Sequence, residues 1–122
     1  MNRVEMEHFA RLWIGHWNAR DIDAVLDTYV DEARFISPLA AQVTGSPVIE
    51  GKAALRRYWT RALEQTESLH FALIDAICDL ERQTLVVQYR AERNGQVSRA
   101  AEAMRFKGRW QVEGEALYGA PL

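Results

Sequence analysis

The sequence predicts an α+β fold in which helices come first, a largely antiparallel sheet follows, and the helices cover one sheet face. Three observations predict it. Between Arg3 and Gln65, apolar residues recur at three- and four-residue spacing, the period of a helix. From Leu69 to Tyr118, short runs rich in Val, Ile, Leu, Phe and Tyr alternate with turn residues, as strands do. Within that second half, Asn94-Gly95 suits a type I′ hairpin turn, whose two central residues both need positive φ.

In chain order, residues 3–17 read as an amphipathic helix with Val4, Met6, Phe9, Leu12, Trp13, His16 and Trp17 on its apolar side. Asp21 is a good N-cap for a second, short helix that carries Ile22, Val25, Leu26 and Tyr29 and ends near Asp31. Ala33–Ser37 reads as a strand stopped by Pro38, which has no amide hydrogen to give to a ladder. Pro38 to Val48 reads as an ordered loop, and Val48–Glu50 as a brief strand. A third helix over Lys52–Gln65 turns Leu55, Tyr58, Trp59, Ala62 and Leu63 inward. Leu69–Asp79, Thr84–Glu92, Gln96–Phe106 and Arg109–Tyr118 are four strands, with a second tight turn at Lys107-Gly108.

Composition narrows the function classes. With 122 residues, 48% of them hydrophobic and 26% charged, the chain is expected to form one domain that buries its own core without metal or disulfide staples. A net charge of −2 with interspersed signs gives no basic footprint for nucleic acid, and no run is long and apolar enough for a membrane span. Cys78 is the single cysteine, so no intrachain disulfide forms. Its apolar strand neighbours mark it as a small core residue. The charged N-terminus does not read as a signal peptide, and a cytoplasmic location is expected. No metal-ligand cluster, phosphate loop or nucleophile elbow occurs, and no cofactor is expected.

Five segments follow one another in a telling order: the helix end from Trp13 to Asp21, DIDAVLDTYVDEARFISP, IEGKAALRRYW, LHFALIDA and EAMRFKGRW. This order resembles that of the small cone-shaped α+β domains (NTF2-like, cystatin-like) related to nuclear transport factor 2, ketosteroid isomerase and SnoaL-like cyclases. The resemblance implies three helices wrapped by a strongly curved mixed or antiparallel sheet, an apolar pocket open at one end, and homodimers formed through the outer sheet face. It also places three residues at the isomerase branch's polar positions. Trp13 stands where that branch has an oxyanion-holding Tyr, Ser37 where it has its Asp base, and Glu102 where it has a buried acid. Neutral serine is a poor proton acceptor and an indole only donates, so isomerase chemistry by that route is disfavoured.

Glu102 is also singled out by its strand. It shares one face with Ala100, Met104 and Phe106, while Arg99, Ala101, Ala103 and Arg105 take the other. If the first face is internal, burial raises the carboxyl pKa and makes it a proton donor or shuttle. The competing assignment is a strand-edge carboxylate paired with arginine or reaching solvent; an Asp75–Arg90 or Glu102–Arg90 pair would instead resemble the Asp-Arg-Asp water activation of epoxide-hydrolase relatives. Among the aromatics of the helical half, Trp13, Trp17 and Tyr58 are the expected pocket residues beside Ser37, Glu102 and Met104, with His16 as a candidate at the opening. The expected function is therefore binding of a small apolar or aromatic molecule. The alternative is an isomerase, cyclase or lyase using Glu102 as general acid/base, assisted by Ser37, His16 or Trp13. A filled cone would instead suggest an interaction module.

Overall fold

Asn2 opens the first helix through a reciprocal pair of bonds: its side chain accepts from the Glu5 amide (2.8 Å), and the Glu5 carboxylate accepts from the Asn2 amide (2.9 Å). The computed structural model describes residues 1–122. This helix, α1 (Arg3–Asn18), buries Met6, Ala10, Trp13 and Ile14. Val4 and Leu12, expected inside, are 73% and 46% exposed. At about 100° per residue the Met6–Ala10–Trp13–Trp17 stripe and the Val4–Leu12 pair lie on different sides of the helix.

Asp21 caps α2 (Ile22–Leu26) as expected, accepting from the Ala24 amide at 3.0 Å. The helix stops earlier than the predicted Asp31, because Tyr29 already belongs to β1 (Tyr29–Ile36). Tyr29 pairs with Gln111 in a parallel ladder and is buried on the strand, not on a helix. The predicted loop after Pro38 is corrected as well: Pro38–Thr44 forms α3, so there are four helices and not three. Ser37 caps it by accepting from the Leu39 amide (3.2 Å), Pro38 fills the first turn, and Gly45 ends it at φ 83°. Then follow β2 (Val48–Glu50) and α4 (Lys52–Glu64), which buries Leu55 and Trp59.

The remaining strands are β3 (Leu69–Asp79), β4 (Thr84–Arg93), β5 (Gln96–Lys107) and β6 (Trp110–Pro121), within one residue or so of expectation except where β6 runs on past Tyr118. Asn94 (φ 53°) and Gly95 (φ 82°) make the predicted turn between β4 and β5, and Gly108 (φ 62°) the next. The six strands form one sheet in the order β2-β1-β6-β5-β4-β3. Only β1–β6 is parallel. Register shifts at Leu73/Asp75, Ser98/Ala100 and Arg105/Phe106 add local bends, the device by which a sheet curves around its helices.

The shift in β3 also changes which residues face inward. Phe71 is inside before it and Ala76 and Cys78 pack against the core after it, whereas Asp75 and Ile77 face out. Asp75 bonds to the Ala76 amide, and Arg90 lies on the outer face opposite Arg99, so neither Asp75–Arg90 nor Glu102–Arg90 forms. Two core clusters result. One packs α1 on β3, β4 and β5 through Met6, Trp13, Phe71, Leu85 and Phe106. The other packs α2, α3 and α4 on β1 and β6 through Leu26, Tyr29, Phe35, Leu55 and Trp59.

One side chain ties α1 to the sheet. Asn18 donates to the Phe71 carbonyl (2.9 Å) and accepts from the Phe71 amide (2.7 Å), so it stands in for a missing strand neighbour. Asn18→Ala is expected to lower stability by about 1–3 kcal/mol, since both β3 groups lose a partner. Thermal unfolding measures it, and an unchanged midpoint would show that the clamp contributes nothing.

Candidate functional site

The two core clusters do not merge. Trp13, Phe71 and Tyr89 from one and Phe35 and Trp59 from the other face each other across a cavity of about 90 Å³ that opens to the surface. Trp17, Leu39, Tyr58, Leu63, Glu102 and Tyr118 complete most of its wall. The rings hold one another in place. Trp13 stacks on Phe71 (6.1 Å, 23°) and meets Tyr89 edge-on (5.3 Å), while Trp59 meets Trp17 (5.3 Å) and Phe35 (5.2 Å) edge-on.

The rim is braced by polar contacts between distant segments. Arg20, at φ 56°, donates to the carbonyls of Leu63, Thr66 and Glu67 (3.2, 2.8 and 2.9 Å) and so fixes the end of α4. The Asn94 side chain accepts from the amides of Glu67 and Ser68, which pins the β4–β5 turn to the same corner. Thr66, Leu69 and Arg93 line the cavity from there.

Glu102 reaches the cavity from the middle of β5, between Val87 on β4 and Ala116 on β6. It is 5% exposed. No cation or hydrogen-bond donor offsets this burial, and the carboxyl pKa is pushed up from 4.5 to about 8. At neutral pH the group therefore carries its proton. Beside it, the Tyr29 hydroxyl accepts from the Gln111 side-chain amide at 2.8 Å, and both residues are fully enclosed. Burial, and then the Glu102 carboxyl, hold the Tyr29 phenol well above its ordinary value. Burial also raises Tyr58 and Tyr89. The indole N–H groups of Trp13 and Trp17 are buried without a partner.

Of the residues expected from sequence, Trp13, Trp17, Tyr58 and Glu102 line the cavity. Ser37 does not: it is fully buried behind Tyr58, with its hydroxyl engaged as the α3 cap. Met104 is fully buried in the α1 core cluster, two residues further along the Glu102 face, and has no place in the wall. His16 is half-buried and also outside it. Sequence reasoning missed Phe71, Tyr89, Arg93 and Tyr118 as wall residues. Tyr89 and Arg93 share the inward parity of Val87 and Ala91, the one signal that could have found them. No three His, Cys, Asp or Glu side chains converge as metal ligands, and no helix is long and apolar enough to cross a membrane. Cys78 packs against the α1 core, and burial pushes its thiol up, away from reactivity.

Residues 10–115 match the SnoaL-like domain. The chain is similar to a SnoaL-like protein of unknown function from Burkholderia thailandensis, with 30% identity, a TM-score of 0.87, and 98% of this chain and 99% of that one covered. It is also similar in fold to a protein of unknown function with a cystatin-like fold from Methylobium petroleophilum (22% identity, TM-score 0.80, covering 100% of this chain and 80% of that one). An NTF2-like protein of unknown function from Burkholderia xenovorans shares the fold at 17% identity and a TM-score of 0.80, with 100% and 88% covered. No curated protein matches the chain. The chain belongs to the SnoaL-like domain family.

Proposed function

We propose that the chain binds a small apolar or aromatic molecule in the cavity between its two core clusters. The observation that carries this reading is the pair of buried indole N–H groups, on Trp13 and Trp17, left without acceptors in an otherwise aromatic wall. Buried donors are nearly always paired, and an acceptor on a bound molecule would supply the missing partner. Calorimetric titration with the single-ring probe benzamide is expected to saturate. Leu63→Trp, which fills the cavity from α4 while leaving Leu55 and Trp59 in place, is expected to weaken binding at least about tenfold. Absence of any saturable heat with the unaltered protein would sink the reading.

One observation favours an enzymatic reading as the second choice: Glu102 lines the cavity and keeps its proton up to about pH 8. It could then serve an isomerase, cyclase or lyase as general acid/base. Glu102→Gln distinguishes the two, abolishing turnover of an enolisable substrate in the second and shifting affinity modestly in the first. The proposal includes a homodimer through the outer sheet face, where Ile77 and Leu117 are 49% and 47% exposed in rows with Val86, Ala103 and Ala101. It also includes a cytoplasmic location, supported only by the single unpaired Cys78.

A further inference from the structure

We propose that Arg93 makes this cavity selective for acids: the apolar ring of the ligand enters between the tryptophans, and its anionic oxygen stays at the rim on the Arg93 guanidinium. This rests on the binding reading above and names the ligand class for the same cavity.

Arg93 stands apart from every other arginine of the chain. The rest are exposed, whereas Arg93 is half-buried, on the inward side of β4 beyond Tyr89 and Ala91. It lines the cavity and also an adjoining groove between the β4–β5 turn and the end of β6, so it marks the mouth where the two meet. Arg34, Arg56, Arg82 and Arg105 each meet a carboxylate, and Arg20 is taken up by carbonyls. Arg93 makes no ion pair and no side-chain hydrogen bond. Its neighbour Glu92 points to the opposite sheet face. Holding a partly desolvated guanidinium without an anion is unfavourable, and a bound anion removes the penalty.

The rest of the wall agrees in sign. Its polar groups are the unpaired Trp13 and Trp17 indoles, the Thr66 hydroxyl, whose proton goes to the Ala62 carbonyl, the phenols of Tyr58, Tyr89 and Tyr118, and Glu102, its only carboxyl. Apart from Glu102, these are neutral indole donors and hydroxyls, with no charged acceptor among them, and Glu102 carries its proton at neutral pH. The positive field of Arg93 reaches the Tyr58 and Tyr89 hydroxyls, which places the guanidinium within range of the cavity's inner polar groups. A cavity of neutral polar groups beneath one unmatched cation suits a ligand with a flat apolar body and a carboxylate or enolate-type oxygen. A basic ligand finds no anion there.

The test compares benzoate with its neutral isostere benzamide by calorimetry at about pH 6.5, where the acid is ionised and Glu102 is not. The unaltered protein is expected to bind the acid about tenfold tighter than the amide. Arg93→Gln is expected to remove that preference, with affinity for the acid falling at least about tenfold and more than affinity for the amide. Equal binding of the two probes by the unaltered protein overturns the assignment and leaves the pocket reading standing. A preference that survives Arg93→Gln overturns it too, as does loss of amide binding in that variant, which would make Arg93 a structural residue. Failure of both probes to bind the unaltered protein overturns the assignment together with the pocket reading.

Discussion

Glu102→Gln is expected to abolish a loss of stability that the unaltered protein suffers between about pH 4.5 and pH 8. The folded protein holds the Glu102 proton up to about pH 8, whereas the unfolded chain releases it near 4.5. Below the lower value both states are protonated and the group is neutral in its effect. Between the two, the folded state binds one proton more, so stability falls as pH rises, by about 1.4 kcal/mol per pH unit. Above about pH 8 both states are ionised and the slope vanishes. The full effect is about 5 kcal/mol, a large share of the stability of a domain this size. Glutamine has the same shape and no titrating proton. Urea unfolding across this range, compared between the two proteins, isolates the difference, and parallel curves would falsify the buried, uncompensated state of Glu102.

Gly114→Ala is the second large effect. A β-carbon at Gly114 would lie 2.9 Å from the Gln111 side-chain nitrogen, 2.9 Å from the Tyr29 hydroxyl and 3.5 Å from Glu102 Oε2. Tyr29 and Gln111 are enclosed on all sides, so neither can swing aside without breaking their 2.8 Å hydrogen bond. Overpacking costs about 1–3 kcal/mol, and a buried bond lost with it adds about 1–2. A drop of about 10 °C in the unfolding midpoint is expected. A midpoint within a degree or two of the unaltered protein would mean that Tyr29 and Gln111 are freer than their burial implies. Glycine is there for space, because the polar pair beneath Glu102 occupies the volume a side chain would need.

Local chemistry made much of the fold legible. Asp21 announces a helix start because its side chain can accept from an amide three residues ahead, and Asn94-Gly95 announces a hairpin because both tolerate positive φ. The same rules should have revealed α3. Ser37-Pro38 is a start signal and Gly45 a stop, but Pro38 was read only as the end of a strand. Tyr29 was misplaced for a different reason. Its spacing from Leu26 fits a helix, and the strand it joins is completed by Gln111, whose amide bonds to the Thr28 carbonyl from the far end of the chain. No local signal carries that information.

The site divides in the same way. Alternation along β5 places Glu102 inside with Met104, and the sheet puts both there. Alternation cannot say that Glu102 meets a cavity while Met104 meets α1, since that depends on how far the helix extends over the strand. It also could not anticipate the bulge in β3 that turns Asp75 outward, or the cap that removes Ser37 from the cavity. Periodicity and turn residues act over a few positions, and by themselves they determined most of the elements, the helices-then-sheet order and the face that Glu102 shares with Met104. The cavity, the unpaired indoles of Trp13 and Trp17, and the isolation of Arg93 were decided by tertiary structure alone. Each is a property of the space left between surfaces, and segments far apart in the chain bring those surfaces together.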